Sequence, residues 1–178
     1  VTSFTLWQLA QTGKVSSEAV LKAIGENVTP VLEQDFAKID PYHPHTHGEV
    51  LYVKYGLKGI RGEAMEGFPS LAKVAMPALR QFVQEGRPQN EAYIQTLLLL
   101  LSQVEDTNIL SRSDSATLKE AQQQAKHILD RGGAFTPEGL QAVWDLNEDF
   151  IKKNISPGGC ADLLILAIFL VRMEAVFG

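Results

Sequence analysis

The sequence predicts an all-α fold, a single helical domain of about eight or nine helices with functional loops between them. Three observations lead there. Apolar residues recur at helical spacing along nearly the whole chain, capping residues and glycine or proline punctuate those runs, and no segment shows the alternation of a half-buried strand.

The elements follow in order. Phe4, Leu6, Trp7, Leu9 and Ala10 mark a first helix ending near Gly13. Ser16 or Ser17 caps a second, in which Val20, Leu21 and Ile24 keep helical spacing up to Gly25. Thr29-Pro30 is a cap followed by an N1 proline and starts a third, to about Ile39. Asp40-Pro41-Tyr42-His43-Pro44 interrupts it, and a short helix from Gly48 presents Val50, Leu51 and Tyr55 before Gly56. After the glycine-rich stretch 56–69, Pro69 or Ser70 opens a helix to about Glu85, kinked at Pro77. Asn90 to Val104 carries five consecutive leucines, which implies burial on nearly every side. Ser113 or Ser115 caps a polar helix to Leu129, closed by Gly132-Gly133. Thr136-Pro137-Glu138 opens another to about Lys153, and Ser156-Pro157-Gly158-Gly159 introduces a last one, Cys160 to about Val176.

Composition limits the function classes. The 178 residues suffice for one domain with its own core, and 45% hydrophobic with 21% charged residues is an ordinary soluble balance. A net charge of −5 argues against a non-specific electrostatic role on nucleic acid or anionic membrane, so neither is expected as a partner. The apolar runs Leu97–Leu101 and Leu163–Val171 fall short of the roughly 18–20 residues of a membrane span. Cys160, the single cysteine, permits no intrachain disulfide and no thiolate zinc site, which fits a reducing, cytoplasmic location. It reads as a packed small residue.

Three segments combine glycine, charge and amide groups. In Lys58-Gly59-Ile60-Arg61-Gly62-Glu63, glycines let backbone amides approach phosphate oxygens while Lys58 and Arg61 supply charge. Glu63 and Glu66 share a face if a helical turn begins there, an arrangement usable by a divalent cation; a charged surface turn is the plainer reading. Glu105-Asp106-Thr107-Asn108, with Arg112 beyond, places acids against the edge of the leucine run, where a low-dielectric wall strengthens a magnesium ligand or general base. Asp and Asn also simply end helices. In Ser156-Pro157-Gly158-Gly159-Cys160-Ala161-Asp162, a helix start exposes free amides to an anion, and Asp162 in the first turn complements the dipole or holds a metal. A fourth segment, His43-Pro44-His45-Thr46-His47, reads as a solvated loop, because alternating histidines diverge in an extended run. His127 reads as a surface residue.

Taken together, GIRGEAMEGFP (59–69), LLLLLSQVEDTN (97–108) and NISPGGCADLL (154–164) resemble the triphosphoribosyl-dephospho-CoA synthase family, the citrate- and malonate-lyase accessory enzymes. Thr46-His47-Gly48-Glu49 and Gly132-Gly133 fit it in order and spacing, so the similarity covers nearly the whole chain. The family continues its DTN motif into Arg-Gly-Gly where this chain has Arg112-Ser113-Asp114, and its Asn-Thr-His-Lys-Gly motif would fall upstream of Val1. Residues 1–178 are therefore expected to be the C-terminal helical portion of such an enzyme, with the N-terminal portion absent. A bundle cut through exposes an apolar face, which invites a homodimer or association with that portion.

The resemblance implies a reaction: transfer of the 5-triphosphoribosyl group of ATP to the 2′-hydroxyl of 3′-dephospho-CoA, releasing adenine and making the precursor of the lyase acyl-carrier-protein prosthetic group. ATP enters as substrate and Mg²⁺ as the expected ion. Asp106, Glu63 and Asp162 are the candidate catalytic carboxylates and the candidate metal ligands. Lys58, Gly59, Arg61, Gly62, Asn108, Arg112, Ser156, Gly158 and Gly159 are the candidate nucleotide and phosphate binders. The alternatives are a helical nucleotide-binding fragment without turnover and a metal-dependent N-glycoside hydrolase.

Overall fold

The computed structural model describes residues 16–177, so the helix expected over Phe4–Gly13 lies outside the described residues. Those residues form nine α-helices and no strand. We number them α1 (Ser17–Ala37), α2 (His47–Tyr55), α3 (Gly59–Met65), α4 (Met76–Gln84), α5 (Gln89–Leu101), α6 (Thr107–Arg112), α7 (Ser115–Asp130), α8 (Pro137–Lys152) and α9 (Gly158–Phe177). A π-helical turn, Leu71–Ala75, leads into α4, and a 3₁₀ turn, Gly133–Phe135, precedes α8. No helix among the described residues is long and apolar enough to cross a membrane.

Helices α5 and α9 form the centre. Along α9, Cys160, Leu163, Ala167, Leu170 and Met173 are buried at spacings of three and four, one stripe of a 3.6-residue helix. It meets Leu98, Leu100 and Leu101 of α5 and Leu71, Met76 and Leu79 of the π turn and α4 in one core. None of the five leucines 97–101 is exposed, as the run implied. Helix α7 packs on the other side of α5 through Leu118, Ala121, Ala125 and Ile128, while α1 lies along α3. Arg80 of α4 ties the ends together: its guanidinium donates to Glu174 of α9 and to Glu18 of α1, and the Ser17 hydroxyl donates to Glu174 as well.

The second and third expected helices are one helix, α1, with Gly25 and Pro30 inside it. Gly25 marks a close approach, not a stop. A Cβ there would lie 3.3 Å from the Gly67 nitrogen and 3.4 Å from the Ala64 oxygen. Pro30 removes the donor that would serve the Glu26 carbonyl, but both residues are exposed, so water can satisfy that oxygen. The kink expected at Pro77 takes the form of the π turn, whose wider ladder absorbs the donor missing from the proline at the start of α4. Asp114, not Ser113 or Ser115, caps α7, accepting from the Thr117 amide at 2.8 Å. Thr136 caps α8 with Pro137 at N1, as the sequence suggested.

Two short helices were not foreseen. The glycine-rich stretch winds into α3 and the DTN segment into α6. Both are too short to carry a detectable apolar period, and both line the cleft described next.

Candidate functional site

A cleft of about 580 Å³ opens where the starts of α3, α6 and α9 approach one another, lined by Lys58, Gly59, Asp106, Thr107 and Gly159 among others. Its wall continues along α3 to Glu63 and Glu66 and back along the turn before α6 to Gln103 and Glu105.

Asp106 holds two of these helix starts together. It is only 1% exposed, and three backbone amides donate to its carboxylate. Asn108 and Ile109 reach Oδ1 at 2.8 and 3.3 Å, capping α6, and Cys160 reaches Oδ2 at 2.8 Å from the first turn of α9. A negative charge between two positive helix ends is stabilised by both dipoles. Glycine lets the chain pass close to it: a Cβ on Gly159 would press on the Asp106 carboxylate at 3.3–3.4 Å.

Glu63 is also engaged. Its carboxylate accepts from the Ser70 amide at 3.1 Å and the Ser70 hydroxyl at 2.5 Å, which closes the reversal between α3 and the π turn. That reversal contains two consecutive left-handed residues, Gly67 (φ 71°) and Phe68 (φ 56°), the second a buried aromatic anchored by its amide to the Glu63 carbonyl at 2.6 Å. Glu66 and Glu105 line the cleft as exposed carboxylates.

Lys58 is the cleft's cation. A Cβ on Gly62 would come within 2.7 Å of the Lys58 Cβ, so the bare glycine leaves room for the lysine stem, and the ammonium lies 5.4 Å from the Phe36 ring centroid. Four acids, Glu63, Glu66, Glu105 and Asp106, line the same space.

Of the residues expected at the site, the structure gathers Lys58, Gly59, Gly62, Glu63, Asp106 and Gly159 along this cleft. Arg61, Asn108, Arg112, Ser156, Gly158 and Asp162 do not line it. Arg61 turns toward α1 and α2, with its guanidinium 4.6 Å from the Phe36 centroid and beside Gly48. Asn108 packs against Gly158, where a Cβ would come within 2.7 Å of its Nδ2, so this pair joins α6 to α9. Arg112, in the last turn of α6, and Asp162, on the outer side of α9, are exposed. The set Glu63, Asp106 and Asp162 is thus not assembled as a metal cage, and no group of three or more His, Cys, Asp or Glu among the described residues is. The geometry explains this: one full helical turn past Gly158, Asp162 faces away from the buried stripe.

Sequence reasoning passed over Thr107, Glu105 and Phe36 as individual site residues. Thr107 and Glu105 stood inside a segment already singled out; Phe36, 22 positions before Lys58, gave no local sign. Cys160 is buried, as expected, and burial followed by the nearby Asp106 carboxylate pushes its thiol far above the ordinary range. The histidine loop is exposed; His43 pairs with Asp40 at 3.0 Å, which with the Tyr42 amide lowers the Asp40 carboxyl below its ordinary value. His127 is exposed on α7.

Comparison with known proteins adds the family. Residues 5–178 match the family described as ATP:dephospho-CoA triphosphoribosyl transferase. A 2-(5″-triphosphoribosyl)-3′-dephosphocoenzyme-A synthase of Klebsiella pneumoniae is 41% identical over 128 residues, 72% of this chain and 42% of that one. A probable synthase of the same name from Streptococcus equi subsp. equi is 35% identical over 158 residues, 89% of this chain and 53% of that one. A protein named CitXG from Leuconostoc mesenteroides subsp. cremoris is 36% identical over 167 residues, 92% of this chain and 35% of that one. The chain thus spans about half, or less, of the length of these curated relatives. No solved structure matches it. With nearly its full length aligned to the family, the chain belongs to the ATP:dephospho-CoA triphosphoribosyl transferases.

Proposed function

We propose that the cleft takes the triphosphate and ribose of ATP, and that the chain serves transfer of the 5-triphosphoribosyl group to the 2′-hydroxyl of 3′-dephospho-CoA with release of adenine. The observation that carries this reading is the cleft itself, where one lysine shares the space with four carboxylates at the meeting of three helix starts. Lys58 suits phosphate oxygens. Carboxylates suit the developing positive charge of an anomeric carbon and the proton of an attacking hydroxyl. The synthase name borne by the Klebsiella pneumoniae relative supports the same chemistry.

Four acids against one lysine would repel a bare triphosphate. The donor set fits Mg²⁺, which keeps most of its waters and takes one or two carboxylates together with substrate phosphates, so no closed protein cage is required. Glu63 and Glu66, which both line the cleft, are the carboxylates that would hold it, and the ion would supply neutralisation of phosphate charge. Asp106, with three amides on its carboxylate, acts as the anchor of the α6 and α9 starts.

In the transfer, the C1′–N9 bond to adenine breaks as the bond from the dephospho-CoA 2′-oxygen to C1′ forms. The hydroxyl proton passes to a cleft carboxylate, a role we assign to the exposed Glu105, and the adenine leaving group takes up a proton from water. Negative charge along the cleft stabilises the oxocarbenium-like centre.

Adenine release from ATP, followed with and without dephospho-CoA in the presence of Mg²⁺, tests the reading. Release that depends on dephospho-CoA is the expected result. Release without it indicates an N-glycoside hydrolase, and ATP binding without adenine indicates a nucleotide-binding fragment; either result overturns the transfer.

A further inference from the structure

Lys58 shares its cleft with Glu63, Glu66, Glu105 and Asp106, yet it makes no ion pair among the described residues. Lysines elsewhere with acids in reach do pair, as Lys153 does with Glu120 and Asp149. What the Lys58 ammonium has instead is the ring of Phe36, 5.4 Å from its centroid. An aromatic face attracts a cation through its quadrupole without neutralising its charge. The ring is itself fixed: Phe36 is 6% exposed, tilted against Tyr52 at 4.7 Å, and carries the Arg61 guanidinium at 4.6 Å. The stem runs over Gly62, where an added Cβ would come within 2.7 Å of the Lys58 Cβ.

We infer that Phe36 is a positioning residue: its ring holds the Lys58 ammonium away from the cleft's carboxylates, so that the lysine stays an unpaired cation available to a polyphosphate. This rests on the reading of the cleft as a triphosphate site. A lysine left to swing would close an ion pair with one of the four acids, and a phosphate would then have to break that pair in order to bind. Phe36 lies near the end of α1, so the helix packed along α3 sets the anion affinity of a site it does not line.

Binding of inorganic tripolyphosphate with Mg²⁺, measured by calorimetry, tests this without needing turnover. Phe36→Leu should weaken binding about twofold to fivefold, the range of an exposed cation–π contact, and Phe36→Tyr should restore it. Lys58→Ala should weaken binding more, and Phe36→Leu added to Lys58→Ala should have no further effect. A merely structural Phe36 would weaken binding in both backgrounds, and that result overturns the inference. So does a loss of binding in Lys58→Ala with none in Phe36→Leu, which leaves the cleft reading intact. If the unaltered chain does not bind tripolyphosphate, or Lys58→Ala binds it normally, the cleft reading falls and the inference with it.

Discussion

The amide of Cys160 donates to Oδ2 of Asp106 at 2.8 Å, joining the starts of α6 and α9 through two residues 54 apart in sequence. The same carboxylate caps α6 through Asn108 and Ile109, so one buried side chain sets the relative position of two walls of the cleft. Asparagine cannot replace it. Whichever way the amide is turned, its NH₂ faces a backbone N–H and one helix start loses its acceptor. Asp106→Asn should lower the unfolding free energy by about 2–4 kcal/mol, since hydrogen bonds to a buried charge are the strong ones and an orphaned amide adds its own cost. Urea denaturation of the two proteins checks this. An unchanged midpoint would mean that the carboxylate does not anchor the helices.

The thiol beside that amide is the second target. Burial, then the Asp106 charge, raises the Cys160 pKa far above its ordinary 9.0 in the folded protein. A raised folded pKa stabilises below the unfolded value and loses that contribution as pH rises beyond it, because only the unfolded chain gives up the proton. Above about pH 9 this group alone should lower stability by up to about 1.4 kcal/mol per pH unit. Cys160→Ala should show a shallower alkaline decline than the unaltered chain, with the Tyr and Lys titrations common to both. An aromatic disulfide reagent should label the thiol in urea and not in the native protein; rapid native labelling would contradict the packing.

Much of this arrangement was legible in the sequence, and the parts that were not have physical reasons. Capping residues marked α1, α2 and α8, through Ser16, Gly56 and Thr136, because caps act locally, within four residues. Gly25 and Pro30 misled because their effect depends on where they face: Gly25 toward the backbone of α3 and its exit, Pro30 toward water. The cleft's chain segments were recognisable as motifs, yet which side chains point into it depends on helix phase. That phase turns Arg61 onto Phe36 and leaves Asp162 outside. Phe36 could not be found at all, since its relation to Lys58 exists only once α1 lies along α3.

The Arg80–Glu174 pair predicts an acid limb. The Arg80 guanidinium, followed by the Ser17 hydroxyl, holds the Glu174 carboxyl below its ordinary 4.5. A depressed folded pKa stabilises above the unfolded value and is lost as pH falls through the folded one. Glu174 is 27% exposed and Arg80 34%, so solvent screens the pair and about 1 kcal/mol is a reasonable ceiling. Arg80→Ala should cost about that much at neutral pH and flatten the stability loss below about pH 4.5. If its acid denaturation curve keeps the same slope, other carboxylates govern that limb.

Two glycines separate backbone strain from packing at the cleft. Gly86 and Gly59 both have left-handed φ, 66° and 57°, so a side chain at either is strained. At Gly86 an added Cβ meets nothing within 4 Å, whereas at Gly59 it meets the Thr107 Oγ1 at 2.9 Å and Cγ2 at 3.0 Å. Gly86→Ala should therefore cost only the strain, about 1–2 kcal/mol. Gly59→Ala adds an overpacked contact between the starts of α3 and α6, a further 1–3 kcal/mol or about that. Because Thr107 and Gly59 both line the cleft, only the second substitution should weaken binding of Mg²⁺ and ATP. Measured together by denaturation and calorimetry, the pair gives a sharp comparison. Equal stability losses with unchanged nucleotide affinity would place the nucleotide elsewhere than at the junction of these two helix starts.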